Sequence, residues 1–489
     1  MKYIFFFMLC VCISLELCAQ SPKEEIRAVW LTSNYSLDWP SKSYRNSDDI
    51  NEQQDELIDI LDKLKAANFN MIFIQTRLRG DVIYNSEIEP VSPFIRKVKN
   101  TWSKYDPLAF AVAECHKRGL ECHAWFVTYP LGTEKIKGKE NNSPTLKKNK
   151  DRAKRYKGEF YLDPGDPKTN DYLISLINEI VGKYDIDGIH LDYIRYPDAN
   201  FPDEATYKRY GNGKNKSDWR RENVNRFVYK VYDDVKAKKP WVQVSSSVIG
   251  MYNKIKGSKR QYSTAYSVYQ DPENWLLHGK QDFIVPMMYN KDDLFFPFIQ
   301  DWKMRSNGRY IVPGLGLYQI DEKESNWSTT KIKEQIQYSR QNQMQGNAFY
   351  RARYLFNNKK GILNEIKTNF YQHPALLPPL TWLSTKRPLP PQNLSAEITG
   401  IYLYLHWEPV GQPQKEKVFY NVYRSEKWPV DTDDADNLVA VRINDQMLFV
   451  PVNNSIESGY YYAVTSYDRY HNESKISDPV YFVTGDFNK

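Results

Sequence analysis

Eight short apolar runs punctuate the first three quarters of the chain. They are IRAVWLTSN (26–34), FNMIFIQTR (69–77), LECHAWFVT (120–128), GIHLDYIRY (188–196), VQVSSSVIG (242–250), FIVPMMYN (283–290), YIVPGLGLY (310–318) and GNAFYRARYL (346–355). Each has the length of a buried strand rather than a helix. Between several of them, apolar residues return every third or fourth position. Leu57, Ile60, Leu61 and Leu64 share one face in 53–67, and Leu173, Leu176, Ile177, Ile180, Val181 and Tyr184 share one in 172–184. Asp106-Pro107 is a capped start and Gly119 a stop for a third helix. Strands alternating with helices predict an α/β fold, a (β/α)8 TIM barrel with insertions. A doubly wound open sheet is the alternative, and the lack of a glycine-rich phosphate fingerprint after the first strand counts against it.

The pattern changes after residue 372. HPALLPPLTWLSTKRPLPPQN (373–393) is too rich in proline for a helix or a central strand, so it reads as a stiff linker or wrap. Beyond it, IYLYLHWEP (401–409), VFYNVYRS (418–425) and GYYYAVTSYDRYHNES (459–474) alternate with period two, as half-buried strands do. This part resembles a fibronectin type III sandwich. The expected organisation is a barrel over 21–372, a Pro-rich linker over 373–393 and a small all-β domain over 394–489, with no catalysis in the last.

Residues 1–20, MKYIFFFMLCVCISLELCAQ, carry one Lys and then an apolar run, with LCA ahead of Gln20. That pattern predicts a secretory signal cut near Ala19, hence a periplasmic or secreted protein. Leu17 is not small, which disfavours a lipoprotein cut before Cys18. No later run is long and apolar enough to be a transmembrane segment. Three cysteines lie in the signal. Cys115 and Cys122 remain, as two buried thiols or a disulfide, and their spacing with the histidines makes no zinc site. No metal or cofactor is expected.

Composition adds two points. Aromatics reach 15 %, with 37 Tyr and 12 Trp; a large barrel core and β-rich surfaces account for most of them, and carbohydrate binding is one further use of such rings. The net charge of +7 is concentrated in 135–157, KIKGKENNSPTLKKNKDRAKRYK, which holds ten Lys/Arg against two acidic residues. A solvated loop, or attraction to an acidic polymer, accounts for it. Nucleic acid is not an expected partner, because no binding motif is present.

In a barrel of this kind the active site lies at the C-terminal ends of the strands. That rule selects Asp192, with His190 two residues earlier on the same face. It also selects Gln75 and Arg77 at the end of the second strand, with Asp81, Glu87 and Glu89 in the loop that follows. His123 and Trp125 come from the third strand, Asp163 from FYLDPGDP, Tyr193 and Arg195 from beyond the fourth, and Tyr289 and Asn290 from the sixth. Asp187 precedes its strand, at the stabilising end. No nucleophile elbow and no HExxH pair appears. Carboxylates, an amide, imidazoles and aromatic rings around one mouth suit glycoside hydrolysis.

The segments EIRAVWLTS (25–33), NFNMIFIQTRLRGDVIYNSEIEPVSP (68–93), YDPLAFAVAECHKRGLECHAWF (105–126) and YLDPGDPKTNDYLISLINEIVGKYDIDGIHLDYIRYP (161–197) together resemble the family-10-like glycosyl hydrolase domain. The resemblance covers roughly 24–370. The positions that match are Gln75, Gly80, Asp81, His123, Trp125, Asp163, Asp187, His190, Asp192 and Tyr193. It implies a hydrolase of polysaccharide, and one type in the family digests denuded peptidoglycan glycan. Asp192 is then the expected nucleophile or base, and Glu89, Glu87, Asp81 and Asp163 compete as its acid partner. The other residues selected above are expected to hold substrate. A non-catalytic glycan-binding barrel and a hydrolase of plant or host polysaccharide remain open.

Overall fold

The computed structural model describes residues 21–484 apart from 98–104, 137, 256–261, 400, 412–416 and 452–457, so the signal segment lies outside the described residues. All eight expected strands form. They are β1 Ile26–Leu31, β2 Met71–Arg77, β3 Glu121–Val127, β4 Gly188–Asp192, β5 Gln243–Ile249, β6 Phe283–Met287, β7 in two pieces, Tyr310–Ile311 and Gly314–Gly316, and β8 Gly346–Tyr350. All pairings among them are parallel, and β5 pairs with β6, so the sheet closes. This is the barrel that the strand-helix alternation predicts, and closure removes the open-sheet alternative.

Helices α1 Ser47–Ala66 and α2 Pro107–Lys117 flank it, the second capped by Asp106 as the sequence indicates. The interior is filled by inward-facing side chains such as Ala28, Trp30, Phe73, Trp125, Phe283, Val285 and Ala348. His123 and His190 join them, both fully buried. His190 stacks on Phe73 with ring centroids 4.0 Å apart. Gly188 is required here, since a Cβ would lie 2.2 Å from Nδ1 of His123.

The basic stretch after β3 is not a bare loop. It folds into a three-stranded antiparallel sheet, Pro130–Thr133, Ala153–Tyr156 and Glu159–Leu162, with the short helix α3 Pro144–Lys148 between. The charges misled: strands this short and this polar carry no apolar alternation to read. Helix α4, Pro167–Lys183, follows.

The Pro-rich segment lies against the barrel as a strap. Leu376 bonds Lys23, Arg27 donates to the carbonyl of His373, and Trp382 Nε1 donates to Asp282. Beyond it lie two antiparallel sheets. One contains Gln392–Thr399, Tyr402–Glu408 and Met447–Pro451, and the other Leu438–Ile443, Val418–Ser425, Ser458–Asp468 and Val480–Thr484. This module closes the N-terminal end of the barrel. Its Arg442 pairs with Asp187, and its His471 with Glu121, all nearly inaccessible. Asp187 thus lies at the closed end, where it also accepts from the Cys122 amide and meets His116. Cys115 and Cys122 are buried free thiols.

Candidate active site

Asp192 ends β4 and is 5 % exposed. Trp125 Nε1 donates to its Oδ2 at 3.1 Å, and the Tyr193 amide donates to its Oδ1 at 2.7 Å. Tyr193 adopts φ +52°, a left-handed turn that is uncommon for a non-glycine residue and folds its amide back onto the carboxylate. Burial raises the proton affinity of Asp192, against the pull of Arg195, these two N–H donors and Arg79. A carboxyl group raised in this way holds its proton more tightly than a free aspartate does.

Aromatic rings surround it. Tyr289 and Tyr350 stack at 5.7 Å, and Trp30 and Trp125 meet Tyr350 edge-on at 6.0 and 6.5 Å. Tyr318 lies 5.7 Å from Tyr289. Arg195 sits 4.5 Å over the Tyr193 ring, and its Nη1 has no hydrogen-bond partner among the described residues. Asn290 is beside Tyr289, with its carbonyl accepting from Gln335.

Other candidates are spoken for. Arg77 clasps Glu89 through two bonds of 2.9 and 2.7 Å, Tyr172 donates to the same carboxylate, and both ion-pair partners are sealed from solvent. That closed pair removes Glu89 as an acid facing substrate and Arg77 as a substrate contact. Asp163 is 1 % exposed and accepts from Thr206 and the Gly165 amide, so it organises the turn into α4. Glu87 is paired with Lys183 on the outside, at 3.6 Å and 89 % exposed.

His190 lies beneath Asp192 rather than in the mouth. It contacts Trp30 Nε1 and the hydroxyls of Ser245 and Ser247, and burial holds it well below the usual histidine range, hence neutral. His123 is bonded to Glu121 deeper still. Neither can touch a glycan without the barrel opening. Gln75 Oε1 accepts from Thr32 and the Ser33 and Asn34 amides, which fixes the loop after β1. Asp81 follows β2 on the loop, and burial pushes its carboxyl up to about 6.

Four residues, Tyr350, Glu159, Tyr161 and Asp38, escaped sequence reasoning. Tyr350 ends β8, where its ring reads as one more core aromatic of the strand. Glu159 lies in the basic insertion and pairs with Arg79, whose guanidinium reaches the Tyr193 ring at 5.9 Å. Tyr161 donates to the same carboxylate at 2.6 Å. Asp38 follows β1 and accepts from Arg351 and the Thr32 and Arg353 amides.

Burial pushes the Asp38 carboxyl from 3.8 to about 6 in spite of Arg351. The folded state therefore binds this proton more tightly than the unfolded chain. Stability is fully present below about pH 4 and falls as pH rises to about 6, by about 3 kcal/mol. Urea unfolding between pH 4 and 7 is expected to show a fall in stability that is smaller by about 3 kcal/mol in Asp38→Asn than in the wild type, the rest coming from other raised carboxyls such as Asp81; equal falls would contradict it.

Rings to stack on and a buried carboxylate beneath them, at the C-terminal end of a parallel barrel, define a glycoside hydrolase as the class. The glycosyl hydrolase-like 10 family model matches residues 25–323, and the chain belongs to that family. It is 31 % identical to the glycosyl hydrolase YngK of Bacillus subtilis (strain 168), over 94 % of this chain and 93 % of YngK. It is 31 % identical to the glycosyl hydrolase DigH of Escherichia coli (strain K12), over 60 % of this chain and 69 % of DigH. The glycoside hydrolase domain of PgaB (BpsB) from Bordetella bronchiseptica aligns with 71 % of this chain and 99 % of its own length, at 13 % identity and a TM-score of 0.49.

Proposed function

We propose that the protein is a secreted hydrolase of bacterial cell-wall glycan, with Asp192 as nucleophile or base. The observation that carries this reading is the Asp192 carboxylate, aimed by Trp125 and the Tyr193 amide at the floor of an aromatic mouth. A sugar stacked on the Tyr289–Tyr350 pair would bring its anomeric carbon over that carboxylate, or over a water held by it. Glu159 is the proposed acid. It is partly exposed, whereas Glu89, Asp163 and Asp38 are sealed, and it shares with Asp192 the neighbouring Arg79 and Tyr193. The C-terminal part is read as a fibronectin type III-like structural module, a reading supported by its three- and four-stranded antiparallel sheets.

The test uses peptide-free glycan strands, intact peptidoglycan and a panel of plant and host polysaccharides. New reducing ends are expected from the peptide-free strands. Binding to them without any new reducing ends would make the barrel a glycan-binding module. Cleavage confined to plant or host polymers would move the substrate elsewhere.

A further inference from the structure

The loop that follows β1 carries a strained aromatic residue at its tip. Tyr35 and Ser36 both adopt left-handed backbone, at φ +55° and +52°. That region disfavours a bulky side chain, and two such residues in succession persist only where the surroundings over-determine them. Here the loop is pinned on several sides. Gln75 Oε1 accepts from the Thr32 hydroxyl and the Ser33 and Asn34 amides. The Thr32 carbonyl accepts from the Asp38 and Trp39 amides, which closes the neck of the loop. Arg351, just past β8, donates to the Leu37 carbonyl and to Asp38.

These bonds fix the backbone around Tyr35 and leave its side chain turned outward. The ring is 55 % exposed and meets Phe94 edge-on, with centroids 5.2 Å apart. At that exposure a ring face is open to solvent, so burial does little to offset the strain. Strain held in place at the C-terminal rim of a barrel, where the active site lies, points to a use for the ring rather than to packing.

The tip lies on the Glu159 side of the mouth. Burial works against the charge of Arg79, and Glu159, Tyr193 and Tyr35 outweigh it and raise the guanidinium above the ordinary arginine value. Arg79 thus stands among three groups: it pairs with Glu159, reaches the Tyr193 ring at 5.9 Å, and has Tyr35 on its outer side. With a sugar over Asp192 on the Tyr289–Tyr350 pair, an acid at Glu159 has to face the oxygen that leaves. The strand beyond that oxygen then passes Arg79 toward Tyr35.

We propose that Tyr35 is a stacking platform for a sugar on the leaving-group side of the cut, beyond the sugar next to Glu159. A pyranose would lay its C–H face on the open ring while its hydroxyls stay in water. The pinned backbone sets the ring in place before the strand arrives, which lowers the ordering cost of binding. This rests on the glycan-hydrolase reading with Glu159 as acid, and adds that the strand is gripped past the bond that is cut.

The test uses Tyr35→Phe, Tyr35→Leu and Tyr35→Gly, each checked for a melting temperature within a few degrees of wild type. Glycine takes the left-handed conformation without strain, so the loop keeps its path. On peptide-free glycan strands, Tyr35→Leu and Tyr35→Gly are expected to raise KM about ten-fold with kcat nearly unchanged, and Tyr35→Phe to keep the wild-type KM. On an aryl glycoside, whose leaving group is one ring long, all three are expected to match the wild type, because nothing of that substrate reaches Tyr35. A merely structural role would shift both substrates together. Wild-type KM on strands in Tyr35→Leu and Tyr35→Gly, or an equal rise on both substrates, overturns the platform. If the wild type cuts neither substrate, the hydrolase reading fails, and calorimetric binding of peptide-free strands to the wild type and Tyr35→Gly decides the platform by itself. Binding about ten-fold weaker in Tyr35→Gly supports it, and equal binding overturns it.

Discussion

Replacing Asp192 with Asn is expected to lower glycan cleavage by at least about 10³-fold while the melting temperature stays within a few degrees of wild type. The substitution is nearly isosteric. Its amide oxygen can still accept from Trp125 Nε1 or from the Tyr193 amide, so the turn at φ +52° has reason to persist. What it removes is the charge, and with it both nucleophilic attack and base catalysis. Glu159→Gln separates the partner's role. Its loss is expected to be about 10²-fold on a natural glycan and much smaller on an aryl glycoside, whose leaving group needs little protonation. Full activity in Asp192→Asn would remove the central carboxylate from the mechanism. Full activity in Glu159→Gln on natural glycan would move the acid to another carboxyl, with Asp81 the next to test, since its carboxyl is also pushed up to about 6.

The two candidate acids show where sequence stops being informative. The strands were legible because a parallel barrel buries both faces of each strand, and continuous apolar runs betray that. Asp192 was legible because a charge inside such a run has to lie at an end. Glu89 looked equally well placed, in the loop after β2. Nothing in its spacing shows that Arg77 turns back to neutralise it, since that depends on the loop's path and on Tyr172 arriving from α4. Glu159 had the opposite problem. It lies just past the stretch 135–157, whose lysines read as solvated surface, and only the fold of the insertion brings it to Arg79. His190 was placed on the correct face but one layer too high: alternation gives the face, not the depth.

The same limit applies at the other end of the barrel, where the C-terminal module supplies groups that no pattern in the first 372 residues anticipates. Arg442→Ala is expected to destabilise the protein by about 3–5 kcal/mol in urea unfolding, with catalytic parameters of the still-folded enzyme unchanged. Arg442 is 4 % exposed. It pairs with Asp187, donates to the Leu120 carbonyl at 3.1 Å and lies 3.6 Å from Glu121. Burial alone would raise the Asp187 carboxyl, but Arg442 and His116 hold it well below the usual range. Burial likewise opposes ionisation of Glu121, and His471, His123 and Arg442 overcome it. Removing the guanidinium leaves two carboxylates in a closed space with only imidazoles to offset them. The cost is that of an unpaired buried charge, not the modest net worth of the pair. Adding Asp187→Asn to Arg442→Ala should therefore recover part of the loss, because it withdraws the stranded charge while still accepting from the Cys122 amide. If the double variant is as unstable as the sum of the two single variants, the charges act independently and the module is held by its apolar contacts alone. Recovery would show that the module and the barrel share one polar seal, which explains why the Pro-rich segment, read from sequence as a linker or a wrap, lies as a strap between them.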